Sequence, residues 1–322
     1  MKKTILTQWS LALCGGLLSL AAMAQSSSTP IRIVVPFNPG GGSDLFARLI
    51  APGLAESLKR PVIVENRAGA GGLIGAEYVV KSAPDGNTLL LSDSSAYTTN
   101  PALYPSIPYT AKDLVPVVEA GRFANTLIVP ANSPYHSLQE VIAAAKKEPG
   151  KVTIASSGNG ASPHLTAEKL QRETGIRLIH VPYKGSGPAL SDTLAGHVDM
   201  IFTGLPSVSE YLKAGKLRAI AIASTERSSF APDVPTVAES GAPGFESLIS
   251  QGLFAPAGTP APVVARINEA VTQLLNSKEM TPRLQQLKVE PHHDSAAQYK
   301  AWLDKDSLVW TRLIKEASIK IE

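Results

Sequence analysis

The sequence predicts an α/β fold of two lobes, each a mainly parallel sheet flanked by helices and joined to the other by crossing strands. Short β-rich runs alternate with helical patterns along the chain, which is the signature of βαβ units. The 322 residues suit roughly two domains of about 150 residues each. Gly and Pro stand at 25 each, which implies many tight turns between short elements.

Residues 31–36 read Ile-Arg-Ile-Val-Val-Pro, a strand. Beyond a Gly-rich turn, 43–59 places Leu45, Leu49, Leu54 and Leu58 on one helical face, with a kink expected at Pro52. A strand at 61–65, a helix at 72–81 and a strand at 87–92 follow, then β-rich runs at 115–119 and 126–130. The pattern restarts with a helix at 138–147, a strand at 152–155 and a helix at 163–173. Strands at 177–181, 198–202 and 217–223 alternate with helices at 189–195 and 206–214. A Pro/Gly-rich passage at 231–244 leads to the run 252–255, and helices at 262–276, 278–287 and 295–317 close the chain. No Ser- or Pro-rich linker separates the halves, so crossings are expected near Ala124-Asn125 and near Ser250. The first lobe is then 25–123 plus 250–322, the second 124–249, and the cleft between them suits a small molecule.

Residues 1–24 read as a secretory leader. Lys2 and Lys3 form the basic start, 11–22 is apolar, and Ala22-Met23-Ala24 is a small-x-small cleavage site before Gln25. The apolar run is shorter than the roughly 20 residues a spanning helix needs. Leu11-Ala12-Leu13-Cys14 half resembles a lipobox, but Leu13 is not small. Cleavage after Ala24 takes the formal net charge from +3 to about +1 and removes Cys14, the one cysteine. Disulfides and thiolate chemistry are thereby excluded from the mature chain. Its near-neutrality argues against a nucleic-acid partner.

Three Gly/Ser-rich turns, each after a strand and before a helix, carry the chemistry. They are Phe37-Asn38-Pro39-Gly40-Gly41-Gly42-Ser43-Asp44, then Ser156-Ser157-Gly158-Asn159-Gly160-Ala161-Ser162-Pro163-His164, then Tyr183-Lys184-Gly185-Ser186-Gly187-Pro188. Glycines admit close backbone approach, and the free N–H groups of a helix N-terminus attract anions. No G-x-G-x-x-G or P-loop pattern is present, so nucleotide phosphates are not implied. Ser162 beside His164 invites a nucleophile reading, but Ser162-Pro163 looks more like an N-cap followed by Pro, and G-x-S-x-G is absent. The histidines are scattered, with only His292-His293 adjacent, so no metal site is expected. Asp44 near a helix start is most simply a dipole-stabilising acid; it can also hold the turn or meet an amino group on a ligand. Phe37, Tyr97, Tyr183 and Phe202 fall at strand ends or in turns, where they can wall a cleft, while Trp302 and Trp310 read as core packing.

These motifs together resemble a family. The first turn is followed by Val64-Glu65-Asn66-Arg67-Ala68-Gly69-Ala70-Gly71-Gly72, Pro84-Asp85-Gly86, Val181-Pro182-Tyr183-Lys184-Gly185 and Gly196-His197-Val198-Asp199. Asp233-Val234-Pro235-Thr236-Val237-Ala238-Glu239-Ser240-Gly241 and Ala255-Pro256-Ala257-Gly258-Thr259-Pro260 complete the series. The chain resembles the Bug/TctC family, the extracytoplasmic solute receptors of tripartite tricarboxylate transporters. The resemblance implies a type II-like periplasmic binding protein, a monomer that closes on a small carboxylate like a flytrap, without catalysis or cofactor. It also implies membrane transporter components as partners. The implied ligand-binding residues are Phe37, Asn38, Gly40, Gly41 and Asp44 of the first turn, partly through bridging water. From the second lobe come Ser156, Ser157, Gly160, Ser162, His164 and Tyr183, with Thr126 after the crossing and Thr203. Many relatives carry Asp-Asn where this chain has Thr203-Gly204, and Trp where it has Ser250-Gln251. That departure leans toward a di- or tricarboxylate, or an aromatic dicarboxylate such as terephthalate, without an amino group. A sensor component binding the same ligand is the alternative, and a secreted Ser162/His164 hydrolase the remaining one.

Overall fold

Residues 29–40, 42–289, 294–319 and 321 are described by the computed structural model. The expected leader with Cys14, the ligand candidate Gly41 and the His292-His293 pair lie outside them. Strand β1 (Ile31–Val35) leads into helix α1 (Gly42–Leu58), which runs on through Pro52. β2 (Val62–Asn66), a 3-10 turn at Ala70–Gly72, α2 (Leu73–Val80) and β3 (Thr88–Asp93) follow. Two short helices come next, α3 (Ser95–Thr98) and α4 (Asn100–Leu103). Sequence reasoning missed both, since each has only four residues and little apolar periodicity.

β4 (Leu114–Pro130) is one 17-residue strand, not the two runs that the composition suggests. Its register shifts between Pro116 and Val118 and between Glu119 and Gly121. Such bulges break the alternation of side chains that would reveal continuity. Beyond it lie α5 (Leu138–Lys147), β5 (Thr153–Ser156), α6 (Ser162–Thr174), β6 (Ile179–Pro182) and α7 (Ser186–Ala195). β7 (Met200–Gly204), α8 (Leu205–Lys213), β8 (Leu217–Ile222) and β9 (Leu248–Pro256) precede α9 (Ala261–Leu275), α10 (Met280–Gln286) and α11 (Ala296–Glu316). The fold is mixed α/β, as expected.

The strands are ordered β2-β1-β3-β9-β4-β7-β5-β6, with β8 also paired to β4. β1 is parallel to β2 and β3, and β5 is parallel to β6 and β7. β4 joins the two groups: it pairs with β9 as far as Ala124↔Leu248, then with β7 from Asn125↔Gly204. The registers also orient the strand ends. Asp93 at the end of β3 pairs with Gln251, which pairs with Gly121, while Gly204 at the end of β7 pairs with Asn125. Both groups therefore aim their carboxyl ends at one short stretch of β4, the place where α/β sheets bind ligands.

Helices cover both faces of the strands, so the strands read as near-continuous apolar runs. Ile31, Ile33, Phe46, Leu54, Leu89, Leu253 and Val271 form one core under α1 and α9. Val34, Leu90, Phe254, Tyr299 and Leu303 pack the other face under α2 and α11. A separate core around Leu127, Ile154, Leu170, Phe202 and Phe245 serves the second strand group. Helix α11 touches both: Trp310, Leu313 and Ile314 pack with Leu103 and Leu165, and Arg172 Nη2 lies 2.6 Å from Glu316 Oε2. Among the described residues no helix is long and apolar enough to cross a membrane.

Candidate functional site

The first turn leaves β1 at Val35 and enters α1 at Gly42, and Asp44 holds it in shape. Gly40, at φ +87°, donates its N–H to Asp44 Oδ2 at 2.9 Å. Arg48 Nε donates to the same oxygen at 3.0 Å, and Asn66 Nδ2 donates to Asp44 Oδ1 at 2.9 Å. Asn66 Nδ2 also donates to the Phe37 carbonyl at 3.1 Å, which ties the turn to the end of β2. Burial alone would raise the Asp44 pKa; the bonds from Arg48, Gly40 and Asn66 outweigh it and hold the carboxyl below its ordinary value. Ser43 Oγ donates to Gln251 Oε1 at 2.7 Å, which pins the first turn of α1 to β9. Asn38, Pro39 and Gly40 are exposed, and Phe37 is half-buried. The leading N–H groups of α1 have no acceptor within the helix and open beside this turn.

The second turn is ordered from within. Ser156 Oγ lies 2.6 Å from His180 Nε2 and donates to the Gly158 carbonyl at 3.0 Å. Gly160 donates its N–H to His164 Nδ1 at 2.9 Å, which leaves the other ring nitrogen of a neutral His164 to carry the proton. The His164 and His180 rings stack at 3.9 Å and 6°. Burial first, and the neighbouring His164 second, push the His180 pKa down to about 4. His164 Nε2 lies 3.7 Å from Glu168 Oε1, and that contact chiefly holds the Glu168 carboxyl low, against its burial. Asn125 Nδ2 donates to Ser162 Oγ at 2.8 Å, Thr166 Oγ1 at 3.0 Å and Ser247 Oγ at 3.2 Å, tying α6 to the crossing strand. Thr126 pairs with Thr203 across β4 and β7. Thr126 is fully buried, and among the described residues its Oγ1 has no partner.

The third turn leans on the second. Tyr183 N–H donates to the Ser156 carbonyl at 3.0 Å and Gly185 N–H to the Ser157 carbonyl at 3.1 Å. The Tyr183 hydroxyl donates to Asp192 Oδ2 at 2.7 Å; burial and this carboxylate push its pKa up to about 12. The helix starts α6, α7 and α8 thus stand side by side at the carboxyl ends of β5, β6 and β7.

A family model for the tripartite tricarboxylate transporter family receptor, TctC, matches residues 46–319. The chain belongs to the TctC family. Similar solved structures include Rpa4515 of R. palustris with adipate, at 33% identity and TM-score 0.82, covering 91% of this chain and 99% of that one. The periplasmic binding protein BugD is 33% identical, with TM-score 0.80 and the same 91% and 99% coverage. MatC from Rhodopseudomonas palustris with bound malate is 31% identical, with TM-score 0.79, covering 89% of this chain and 99% of MatC. The resemblance read from the motifs is thereby established, and this TctC protein is a solute-binding receptor of the Bug/TctC type.

Several side chains named from the sequence are engaged internally. Asp44 spends both oxygens on the turn, Ser156 bonds within its own loop and to His180, and the Tyr183 hydroxyl is spent on Asp192. The helix cap expected at Ser162 is Ala161 instead, because Ser162 already has helical geometry. Ser162 and His164 form no pair, since Asn125 holds one and Gly160 the other. The histidines are less scattered than the sequence suggests: His164 and His180 meet. Among the described residues, however, no cluster could hold a metal ion. A cavity of about 410 Å³ opens beside the crossing strands, lined by Phe123, Leu205, Ile222, Phe230, Leu248 and Lys288, and none of the expected ligand residues lines it. The sequence gives Gln251 no role beyond a missing Trp and Asp93 none; Asp93 ends β3 and pairs with Gln251 inside β9, which Ser43 of α1 holds.

Proposed function

We propose that this TctC receptor captures a small di- or tricarboxylate, or an aromatic dicarboxylate, between two lobes and delivers it to the membrane components of a tripartite tricarboxylate transporter. The carrying observation is the convergence of Gly/Ser turns and helix N-termini on one stretch of β4 from both strand groups. Backbone N–H groups and hydroxyls there suit an anion held with little fixed positive charge. The structural neighbours solved with adipate and with malate support a carboxylate. The lobes of this reading are 25–123 plus 250–322 and 124–249, with β4 and β9 as the hinge strands. Ligand then shifts an open–closed equilibrium and no bond is made or broken. The receptor works as a monomer in the periplasm after cleavage behind Ala24.

Calorimetry of the mature chain against dicarboxylates, tricarboxylates and aromatic acids tests this reading. A saturable heat with matching thermal stabilisation is expected for at least one acid. No response across the three classes overturns it.

A further inference from the structure

Asp93 ends β3 on the face that carries α1. Leu89 and Leu91, four and two residues earlier, belong to the core under α1, whereas Leu90 belongs to the opposite core. Side chains alternate along a strand, so Asp93 projects toward α1. Directly across β9 stands Gln251, and Leu253 and Ala255 of the same strand share the α1 core. Gln251 Oε1 is held by Ser43 Oγ at 2.7 Å, inside the first turn of α1. Opposed residues in an antiparallel pair have Cβ atoms about 4.5–5.5 Å apart. Asp93, Gln251 and the N-terminus of α1 therefore share one patch of the floor, immediately under the first Gly-rich turn.

The two oxygens of Asp93 are used unequally. Oδ1 accepts from the Ser95 N–H at 3.1 Å and from the Ser95 hydroxyl, an arrangement that opens α3. Oδ2 takes no hydrogen bond from any described residue. No described cation pairs with the carboxyl, and burial raises its pKa. The residue as a whole is half-buried. An acceptor that is poorly solvated and half-satisfied lacks a donor. A plain carboxylate ligand cannot supply one, and its charge would be repelled.

We propose that Asp93 is a specificity-determining residue of this cleft: its Oδ2 accepts a hydrogen bond from a hydroxyl or ammonium group carried by the bound carboxylate. The inference rests on the carboxylate-receptor reading and narrows its ligand class to acids with a donor near the carboxylate that meets the first turn. A hydroxy-di- or tricarboxylate satisfies the unpaired Oδ2. A site built around a buried acceptor rejects the analogue that lacks the donor, because the acceptor then stays unpaired. A bond to a charged group corresponds to a preference of roughly tenfold to a hundredfold.

The test is calorimetry of the full mature chain with succinate, malate and aspartate, and with glutarate, 2-hydroxyglutarate and glutamate. In the native protein a donor-bearing member is expected to bind at least about tenfold more tightly than its unsubstituted parent; malate against aspartate tells hydroxyl from ammonium. Asp93→Asn keeps an acceptor for Ser95 and replaces the free oxygen with a donor. It should bring the preference to within about threefold while the parent acid binds as well or better. Ser95→Ala, which removes the hydroxyl donor from Oδ1 but leaves the Ser95 N–H and Oδ2 in place, should keep the direction of the preference and guards against a folding artefact. Equal affinity for parent and donor-bearing acids in the native protein, or a preference that survives in Asp93→Asn, overturns the proposal. If none of the six acids binds but another carboxylate does, the Asp93 proposal fails alone; if no carboxylate binds, the receptor reading falls with it.

Discussion

Replacing Asp44 by Asn probes the element on which the first turn depends. The carboxylate is 2% exposed and gathers the Gly40 N–H, Arg48 Nε and Asn66 Nδ2 at 2.9–3.0 Å. The amide of Asn can accept from one of these donors, but its NH₂ group must then face another. Arg48 is largely solvated, so its pair adds little. The loss is therefore set by the Gly40 and Asn66 bonds, one of which disappears, at about 2 kcal/mol for a bond to a buried charged group. The sign with pH follows from the lowered pKa of Asp44, whose ordinary value is 3.8. The native carboxylate contributes stability above the unfolded value and loses it as pH falls through the lower folded value. Urea unfolding should show Asp44→Asn weaker by about 2 kcal/mol at pH 7, with the gap narrowing below pH 4. Affinity for the carboxylate ligand should fall by about tenfold as the turn loosens. Equal urea midpoints at pH 7 together with unchanged affinity would refute the assignment of Asp44 to the turn.

Three further outcomes are expected. Burial, with Glu246 adding to it, pushes Asp306 up to about 7, so the folded protein loses stability as pH rises from the unfolded value of 3.8 toward 7. Asp306→Asn should be more stable than the native protein at pH 8, by at most about 4 kcal/mol, and nearly equal to it at pH 4 in thermal unfolding. At Gly252 a Cβ would stand 2.2 Å from Tyr299 Oη and 2.7 Å from its ring, so Gly252→Ala should cost about 2–3 kcal/mol in a urea titration. A loss under about 1 kcal/mol would mean that the fully buried Tyr299 ring can shift. His180, held near 4 by burial and by the stacked His164, should stay neutral in proton NMR down to about pH 5. A midpoint at or above 6 would show that the ring is not buried against His164 in solution.

The architecture was largely legible because its signals are local. β1 and β3 are apolar runs and α9 has a clean apolar face, so each element could be read from its own residues. Features resting on partners remote in sequence were not. β4 looked like two strands because its bulges at 116–118 and 119–121 scramble the alternation, and only the long partner β9 makes it continuous. The stacking of His164 on His180 depends on β5 lying beside β6, and no spacing encodes it.

The two acids at the first turn show where such reading ends. Asp44 stood inside a conspicuous motif and drew three candidate roles, whereas Asp93 stood in the plain run Leu91-Ser92-Asp93-Ser94-Ser95 and drew none. Both sit beside a helix start, so the helix dipole does not distinguish them. The count of donors does. Asn66, 22 residues away, and Arg48 help to fill both oxygens of Asp44, which makes it part of the scaffold and keeps its pKa low. Among the described residues only Ser95 serves Asp93, on one oxygen, and burial raises its pKa. A saturated carboxylate shapes a site, and an unsaturated one at the same floor can choose what enters it.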